Sequence, residues 1–293
     1  MTTVAETRLD FPCFGGEVTL LASGGDLDRV CERFEQWHQR LSRFDPTSEL
    51  CLLNAHPASR VRVSAITACF VAAAIDAAHR TDGLVDPTLV EEIERAGYTS
   101  DLGDPVPMEA AAVAIAKPDP HRRWLDVSVD PLTRTVTRPP GTKLDSGGIA
   151  KGLFADLAAD MLRESGSYAI DCCGDVRIGG RSGIARAVRV DDPFGRGEPL
   201  HEFAVVEGGV ATSGIGRRSW VGADGERAHH LLDPSTGRPA YTGIVQVTAL
   251  APTAADAEVR AKAALLSGPA GASGWLAEHG GVVVFDDGSH RVL

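Results

Sequence analysis

Between Tyr168 and Val245 the chain runs through short strand patterns and glycine-rich turns, with helical segments on both sides. Such a block does not fit a regular βαβ alternation, so the pattern favours an α+β fold over a doubly wound sheet. On the N-terminal side, the pattern predicts a strand at Glu17–Ala22 and a helix at Asp26–Leu41, with Leu27, Val30, Phe34 and Trp37 at helical spacing. A second helix, Ser64–Arg80, opens on a capping serine, and a third is expected from about Ile149 to Arg163. Ser42–Ser48 and Thr81–Thr88 read as loops, Asp104–Pro107 as a proline-rich linker, and Trp124–Thr137 as a β-hairpin turning at Asp130-Pro131. A helix follows Pro252, and a further helix and a hairpin (Val282–Phe285, then His290–Val292) end the chain.

The 293 residues suggest one large domain or two intimate lobes, and a 43% apolar share is enough for a sizeable core. A net charge of −11 argues against a nucleic-acid or membrane-surface role, since both need a basic footprint. No apolar run is long enough to span a bilayer, and Met1–Arg8 has no basic start leading into an apolar stretch. The expected compartment is therefore the cytosol. Cys13, Cys31, Cys51, Cys69, Cys172 and Cys173 include no CxxC and read as free, mostly buried thiols. Lysines number only four: Lys117, Lys143, Lys151 and Lys262.

Four segments carry side chains suited to chemistry. In Asp145-Ser-Gly-Gly-Ile-Ala-Lys151, a strand is expected to end at Asp145 and a helix to begin after the two glycines. Such a turn brings backbone N–H groups to an anion, with Lys151 in the first helical turn, although glycines there also serve a plain tight turn. The spacing matches neither the P-loop nor the dinucleotide fingerprint. On the helix after Thr253, Glu258 and Lys262 stand four apart. They read either as a surface ion pair worth ~0.3–0.5 kcal/mol or as a metal-binding carboxylate beside a phosphate-facing ammonium. His229 and His230 are expected to point to opposite faces of a strand, before a turn at Asp233–Pro239. Gly209–Gly214 places Thr212 and Ser213 before a glycine but forms no nucleophile elbow.

The order of these segments resembles the ApbE family of flavin transferases. The likeness runs from about Phe14 to Gly268 through Ser42-Arg-Phe-Asp-Pro-Thr-Ser-Glu-Leu, Gly83-Leu-Val-Asp-Pro-Thr and Asp145-Ser-Gly-Gly-Ile-Ala-Lys-Gly. It continues through Cys173-Gly-Asp-Val-Arg, Ala211-Thr-Ser-Gly, His229-His-Leu-Leu-Asp-Pro-Ser-Thr-Gly-Arg-Pro and Ala251-Pro-Thr-Ala. The resemblance implies one α+β domain over residues 1–293, built of two interleaved lobes with FAD in the cleft between them. It implies Mg²⁺ at the FAD diphosphate and transfer of FMN from FAD to a Thr or Ser hydroxyl of a target flavoprotein, releasing AMP.

By the same resemblance, Phe44 and the loop of Val85, Asp86, Pro87 and Thr88 contact FAD, and Phe14 takes the place of a family methionine near the flavin. Asp145, Gly147 and Lys151 bind FAD, while Ser213, His230 and Leu231 line the cleft. His230 and Asp145 are the candidates for moving a proton. The Gly148 carbonyl and Glu258 are the implied metal ligands. Glu258 replaces the usual Asp, and Lys262 replaces a Thr ligand and is counted with the FAD-binding residues. A protonated lysine cannot ligate a metal. Cys172 and Cys173 stand where the family has Leu and Gly. The absence of an export signal implies an acceptor accessible from the cytosol and no stable membrane insertion. The same site would act as a Mg²⁺-dependent FAD diphosphatase with water as acceptor, or as an FAD-binding module without turnover.

Overall fold

Side-chain caps open three helices where the sequence places them, in a computed structural model that describes residues 5–99, 112–222 and 225–293. β1 (Thr7–Cys13) and β2 (Gly16–Ala22) form a hairpin whose turn holds Phe14 and Gly15 at positive φ. Asp26 accepts the Arg29 N–H and opens α1 (Leu27–Leu41), which buries Leu27, Val30, Phe34 and Leu41. The Ser42 loop runs into α2 (Glu49–Ala55), a helix that was not expected. β3 (Arg60–Arg62) precedes α3 (Ala65–Arg80), which Ser64 caps as expected. A second unexpected helix, α4 (Val90–Arg95), follows the loop at 81–88. The proline-rich linker at Asp104 lies outside the described residues.

β4 (Ser128–Asp130) and β5 (Thr135–Thr137) form the hairpin turning at Asp130, and they join β3 in a three-stranded sheet. Trp124, expected in the first hairpin strand, lies instead in a 3₁₀ turn at Arg123–Asp126. No strand runs into Asp145. That segment is pinned by Asn54, whose side-chain amide donates to the Leu144 carbonyl at 2.9 Å and accepts the Leu144 N–H at 2.8 Å.

After α5 (Ala150–Leu162) the strands follow in quick succession. They are β6 (Tyr168–Cys172), β7 (Asp175–Gly179), β8 (Arg186–Val190), β9 (His201–Val205) and β10 (Gly208–Gly214). Next come β11 (Ser219–Val221), β12 (Arg227–His229), β13 (Leu232–Asp233), β14 (Arg238–Pro239) and β15 (Ile244–Ala251). α6 (Ala254–Leu266), capped by Thr253, α7 (Gly268–Leu276), β16 (Gly281–Phe285) and β17 (His290–Val292) complete the chain. The main sheet has the order β1-β2-β6-β7-β10-β15-β16-β17, and every pairing in it is antiparallel. That connectivity is α+β.

α5 packs on β6 and β7, and α6 on β10 and β15. The two helices touch closely at Gly152, where a Cβ would stand 2.7 Å from the Ala254 carbonyl oxygen and the Ala255 backbone. Only glycine allows that approach. Two large apolar clusters result. One gathers α1, α3, α5 and the N-terminal hairpin around Phe154, which meets Phe14, Phe34 and Trp37 at ring separations of 5.2, 6.0 and 5.3 Å. The other lies between β15, β16 and the outer face of α6. The thiols are all free: Cys13 and Cys172 are buried, Cys69 is exposed, and the other three are half-buried.

Candidate active site

A cavity opens between the two clusters, with Leu41, Ala74 and Ile149 of the first and Leu231 and Leu266 of the second on its walls. Loops supply its polar groups. Asp86 turns its own loop: Oδ1 accepts the Thr88 N–H at 2.8 Å and the Thr88 hydroxyl at 2.6 Å. Its other oxygen, Oδ2, is buried without a partner, and burial raises the carboxyl pKa against those two hydrogen bonds. The Asp145 N–H donates to the Pro87 carbonyl at 2.9 Å, which ties this loop to the one before α5. Arg43 Nε lies 3.3 Å from Asp145 Oδ1, and its guanidinium sits over the Phe44 and Tyr98 rings at 4.6 and 4.7 Å. Gly147, Gly148 and Ile149 bring the N-terminus of α5, whose N-cap residue Ile149 supplies no side-chain cap, to the wall. A helix start of this kind favours an anion.

Behind that wall lies a buried group of four charges. Lys262 Nζ donates to the Gly148 carbonyl at 2.9 Å and to Glu258 Oε1 at 2.7 Å. Glu258 Oε2 accepts the Gly152 N–H at 3.0 Å. Lys151 Nζ bonds Asp175 and lies 3.6 Å from Glu258 Oε1. Burial works to raise the Glu258 pKa, but the two ammoniums outweigh it and bring the carboxyl down to about 2. Burial dominates at Asp175 and lifts it to about 6 despite Lys151. For Lys151, burial favours the neutral amine, and the two carboxylates reverse this and raise its pKa.

His229, at the end of β12, packs in the core with its ring edge-on to Tyr241, and accepts the Leu231 N–H at 3.3 Å through Nδ1. His230 lines the cavity. β12 ends at His229, so the two histidines do not share a strand, and neither ring faces open solvent: one is in the core and the other on the cavity wall. Burial, then the cations Arg218 and Lys262, hold the His230 pKa well below 6.5. Its Nδ1 lies 3.4 Å from the Arg218 carbonyl, an acceptor only, so the proton sits on Nδ1 and Nε2 keeps its lone pair.

Burial also lowers His229, to about 4. The unfolded chain protonates this ring near 6.5, so stability falls as pH drops from there toward 4. The expected loss is about 2 kcal/mol between pH 6.5 and 5 from this residue, and His230 adds to it with the same sign. Urea midpoints at the two pH values check this, and His229→Phe should flatten the slope.

Phe14, Phe44, Val85, Asp86, Pro87, Asp145, Gly147, Gly148, His230, Leu231 and Lys262 all line the cavity. Four expected site residues do not. Thr88 is buried as a brace for Asp86. Ser213 is buried on β10 and is not among the wall residues. Lys151 is held inside by Asp175, and Glu258 reaches the site only through Lys262. The Glu258–Lys262 pair is not on the surface, since the two residues are 1% and 7% exposed. Wall residues with charged or polar-aromatic side chains that the sequence did not single out include Arg43, Tyr98 and Arg218. Arg43 stands inside the Ser42–Ser48 segment, whereas Tyr98 and Arg218 carry no local signal.

The profile of the ApbE family matches residues 1–285. This chain belongs to the ApbE family. Among the relatives of this ApbE chain is the FAD:protein FMN transferase of Treponema pallidum, 29% identical over 275 residues that cover 87% of this chain and 75% of the relative. The FAD:protein FMN transferase of Vibrio cholerae is 28% identical over 233 residues, covering 77% and 67%. The crystal structure of the ApbE protein of Thermotoga maritima matches with a TM-score of 0.79 at 26% identity, over 98% of this chain and 97% of that one.

The ApbE resemblance implies Mg²⁺ on the Gly148 carbonyl and Glu258. In this ApbE chain both already accept from Lys262 Nζ. Among the described residues, no cluster of three or more His, Cys, Asp or Glu side chains converges on one point. A divalent ion about 4 Å from an ammonium meets repulsion of roughly 4 kcal/mol per unit charge at an effective dielectric of 20. The donor set present does not fit Mg²⁺ at this position.

Proposed function

We propose that this chain is an FAD:protein FMN transferase that moves FMN from FAD to a Thr or Ser hydroxyl of a target flavoprotein and releases AMP. The observation that carries the reading is the meeting, in one cavity, of a neutral His230 with Lys262 and the glycine turn Gly147-Gly148 that leads into α5. The helix terminus and the cations suit a diphosphate, and the unpartnered Asp86 Oδ2 suits a hydroxyl or amine of the nucleotide.

Phosphoryl-type transfer is governed by positioning and charge neutralisation. The wall serines are engaged. Ser146 donates to the Leu41 carbonyl at 2.8 Å, and Ser42 Oγ accepts the Phe44 N–H at 3.3 Å. The nucleophile in this reading is an external hydroxyl. Its oxygen bonds to the FMN phosphorus, the bond from that phosphorus to the bridging oxygen breaks, and AMP leaves with that oxygen. His230 Nε2 takes the hydroxyl proton. Asp145, set against Arg43, orients the guanidinium toward the nucleotide and is the second group able to hold a proton. Lys151 supports the phosphate end from behind, through Glu258.

The compartment we assign is the cytosol, with an acceptor domain accessible from it. Six free cysteines suit reducing surroundings. Among the described residues, no helix is long and apolar enough to cross a membrane.

The test is incubation with FAD and a candidate flavoprotein domain, followed by mass spectrometry of the domain and quantification of AMP. An FMN adduct with equimolar AMP is expected. AMP and free FMN without an adduct would identify a diphosphatase, and no AMP at all would leave only an FAD-binding protein. Thermal stabilisation by FAD should exceed that by FMN, because the diphosphate end supplies the charged contacts.

A further inference from the structure

We propose that the Lys262 ammonium is a built-in replacement for a divalent cation: it neutralises the FAD diphosphate and the departing AMP, so transfer needs no Mg²⁺ at this position. The inference rests on the transferase reading above.

The ammonium is fixed from two elements, the turn before α5 and α6 itself, through Gly148 O and Glu258 Oε1. An ammonium has three donors and no acceptor. Two are spent on these oxygens, and Lys262 also lines the cavity, so the third is available to a ligand oxygen there. A lysine kept only to balance Glu258 would not need to reach the cavity, because Lys151 already stands 3.6 Å from that carboxylate and does not line the wall.

The surrounding oxygens leave no place for a second cation. Glu258 Oε2 holds the Gly152 N–H, Oε1 holds Lys262, and Asp175 is bonded by Lys151. Lys151, Lys262, Asp175 and Glu258 balance in formal charge. An incoming 2+ ion beside Lys262 would find two ammoniums and no unmatched carboxylate among these four groups, whereas an anionic diphosphate meets Lys262 with Arg43 and Arg218 on the same walls. In the transfer step the new bond joins the acceptor oxygen to the FMN phosphorus, and the phosphorus–bridging-oxygen bond breaks. Lys262 donates a hydrogen bond to the oxygen leaving on AMP and keeps its proton, and the hydroxyl proton goes to His230.

The first test uses the unmodified protein with FAD bound, titrated with Mn²⁺ and followed by electron paramagnetic resonance against FAD alone. No stoichiometric protein-dependent Mn²⁺ site is expected, and finding one overturns the proposal. The second compares FMN transfer in EDTA with transfer in Mg²⁺. A difference below about tenfold supports the proposal, and a larger loss that Mg²⁺ restores overturns it. The third measures FAD affinity in EDTA for Lys262→Met by flavin fluorescence. A weakening of roughly 10–100-fold is expected for loss of a charge-assisted hydrogen bond, and unchanged affinity overturns the proposal. Lys262→Thr should gain a Mn²⁺ signal. If either variant fails to fold, the first two measurements decide. If no AMP appears under any condition, the transferase reading fails, while Mn²⁺ uptake and FAD affinity still decide the role of Lys262.

Discussion

His230→Ala is expected to slow FMN transfer by roughly 10²–10⁴-fold, the usual size of a general-base contribution, while FAD affinity changes little. The imidazole is neutral because burial and the neighbouring cations hold its pKa down, and the Arg218 carbonyl fixes the proton on Nδ1. The base is thus ready at pH 7, and kcat/KM should be flat from pH 7 to 8 and decline only in acid. In the proposed reading the diphosphate contacts come from Lys262, the arginines and the α5 terminus, all on the cavity wall, so binding is expected to survive the loss of the ring. Added imidazole should restore part of the rate by entering the space left behind. A loss under about tenfold, with no rescue, would remove His230 from the proton path.

Glu258→Gln is expected to destabilise the fold by about 3–5 kcal/mol, the cost of leaving a buried charge without its partner. The shape is conserved, so the effect isolates charge. Two ammoniums would then share Asp175 alone, inside a wall where Glu258 is 1% exposed. The same exchange in a solvated helix pair would cost under about 1 kcal/mol. Denaturant midpoints at pH 7 separate the two outcomes. The linkage has a defined sign: Glu258 titrates near 4.5 when unfolded and near 2 when folded, so its stabilisation is complete above pH 4.5 and is lost as pH falls toward 2.

Local chemistry was readable in the chain, and distant partners were not. Asp26, Ser64 and Thr253 each accept the backbone N–H three residues on, at the starts of helices that the sequence placed there. α2 and α4 were missed because they span 7 and 6 residues, too short for helical periodicity to stand out. The site motifs converge because the loops at Ser42, Val85, Asp145 and His230 all reach one cavity, although each reads as an ordinary turn in isolation. Lys151 was misplaced for a physical reason. Its partner Asp175 lies 24 residues away on β7, and nothing near Lys151 in sequence records the contact. Spacing also could not separate a solvated from a buried Glu258–Lys262 pair, since i,i+4 geometry is the same on either face. The pair is held inside by partners before and on α5, the Gly148 carbonyl for Lys262 and the Gly152 N–H for Glu258.

The four balanced charges between β7, α5 and α6 restrict the substitutions this chain can accumulate. Exchange of any one of Lys151, Asp175, Glu258 or Lys262 for a neutral residue strands an opposite charge in the interior. A lineage moving between a lysine and a metal-ligating hydroxyl at position 262 must therefore alter a second position in nearly the same step, or gain an ion that supplies the missing positive charge. In a collection of descendants these four sites should change together, and intermediates with an odd charge among them should be rare. That coupling would be visible as pairwise non-additivity in a combinatorial library of the four residues, read by folded yield alone.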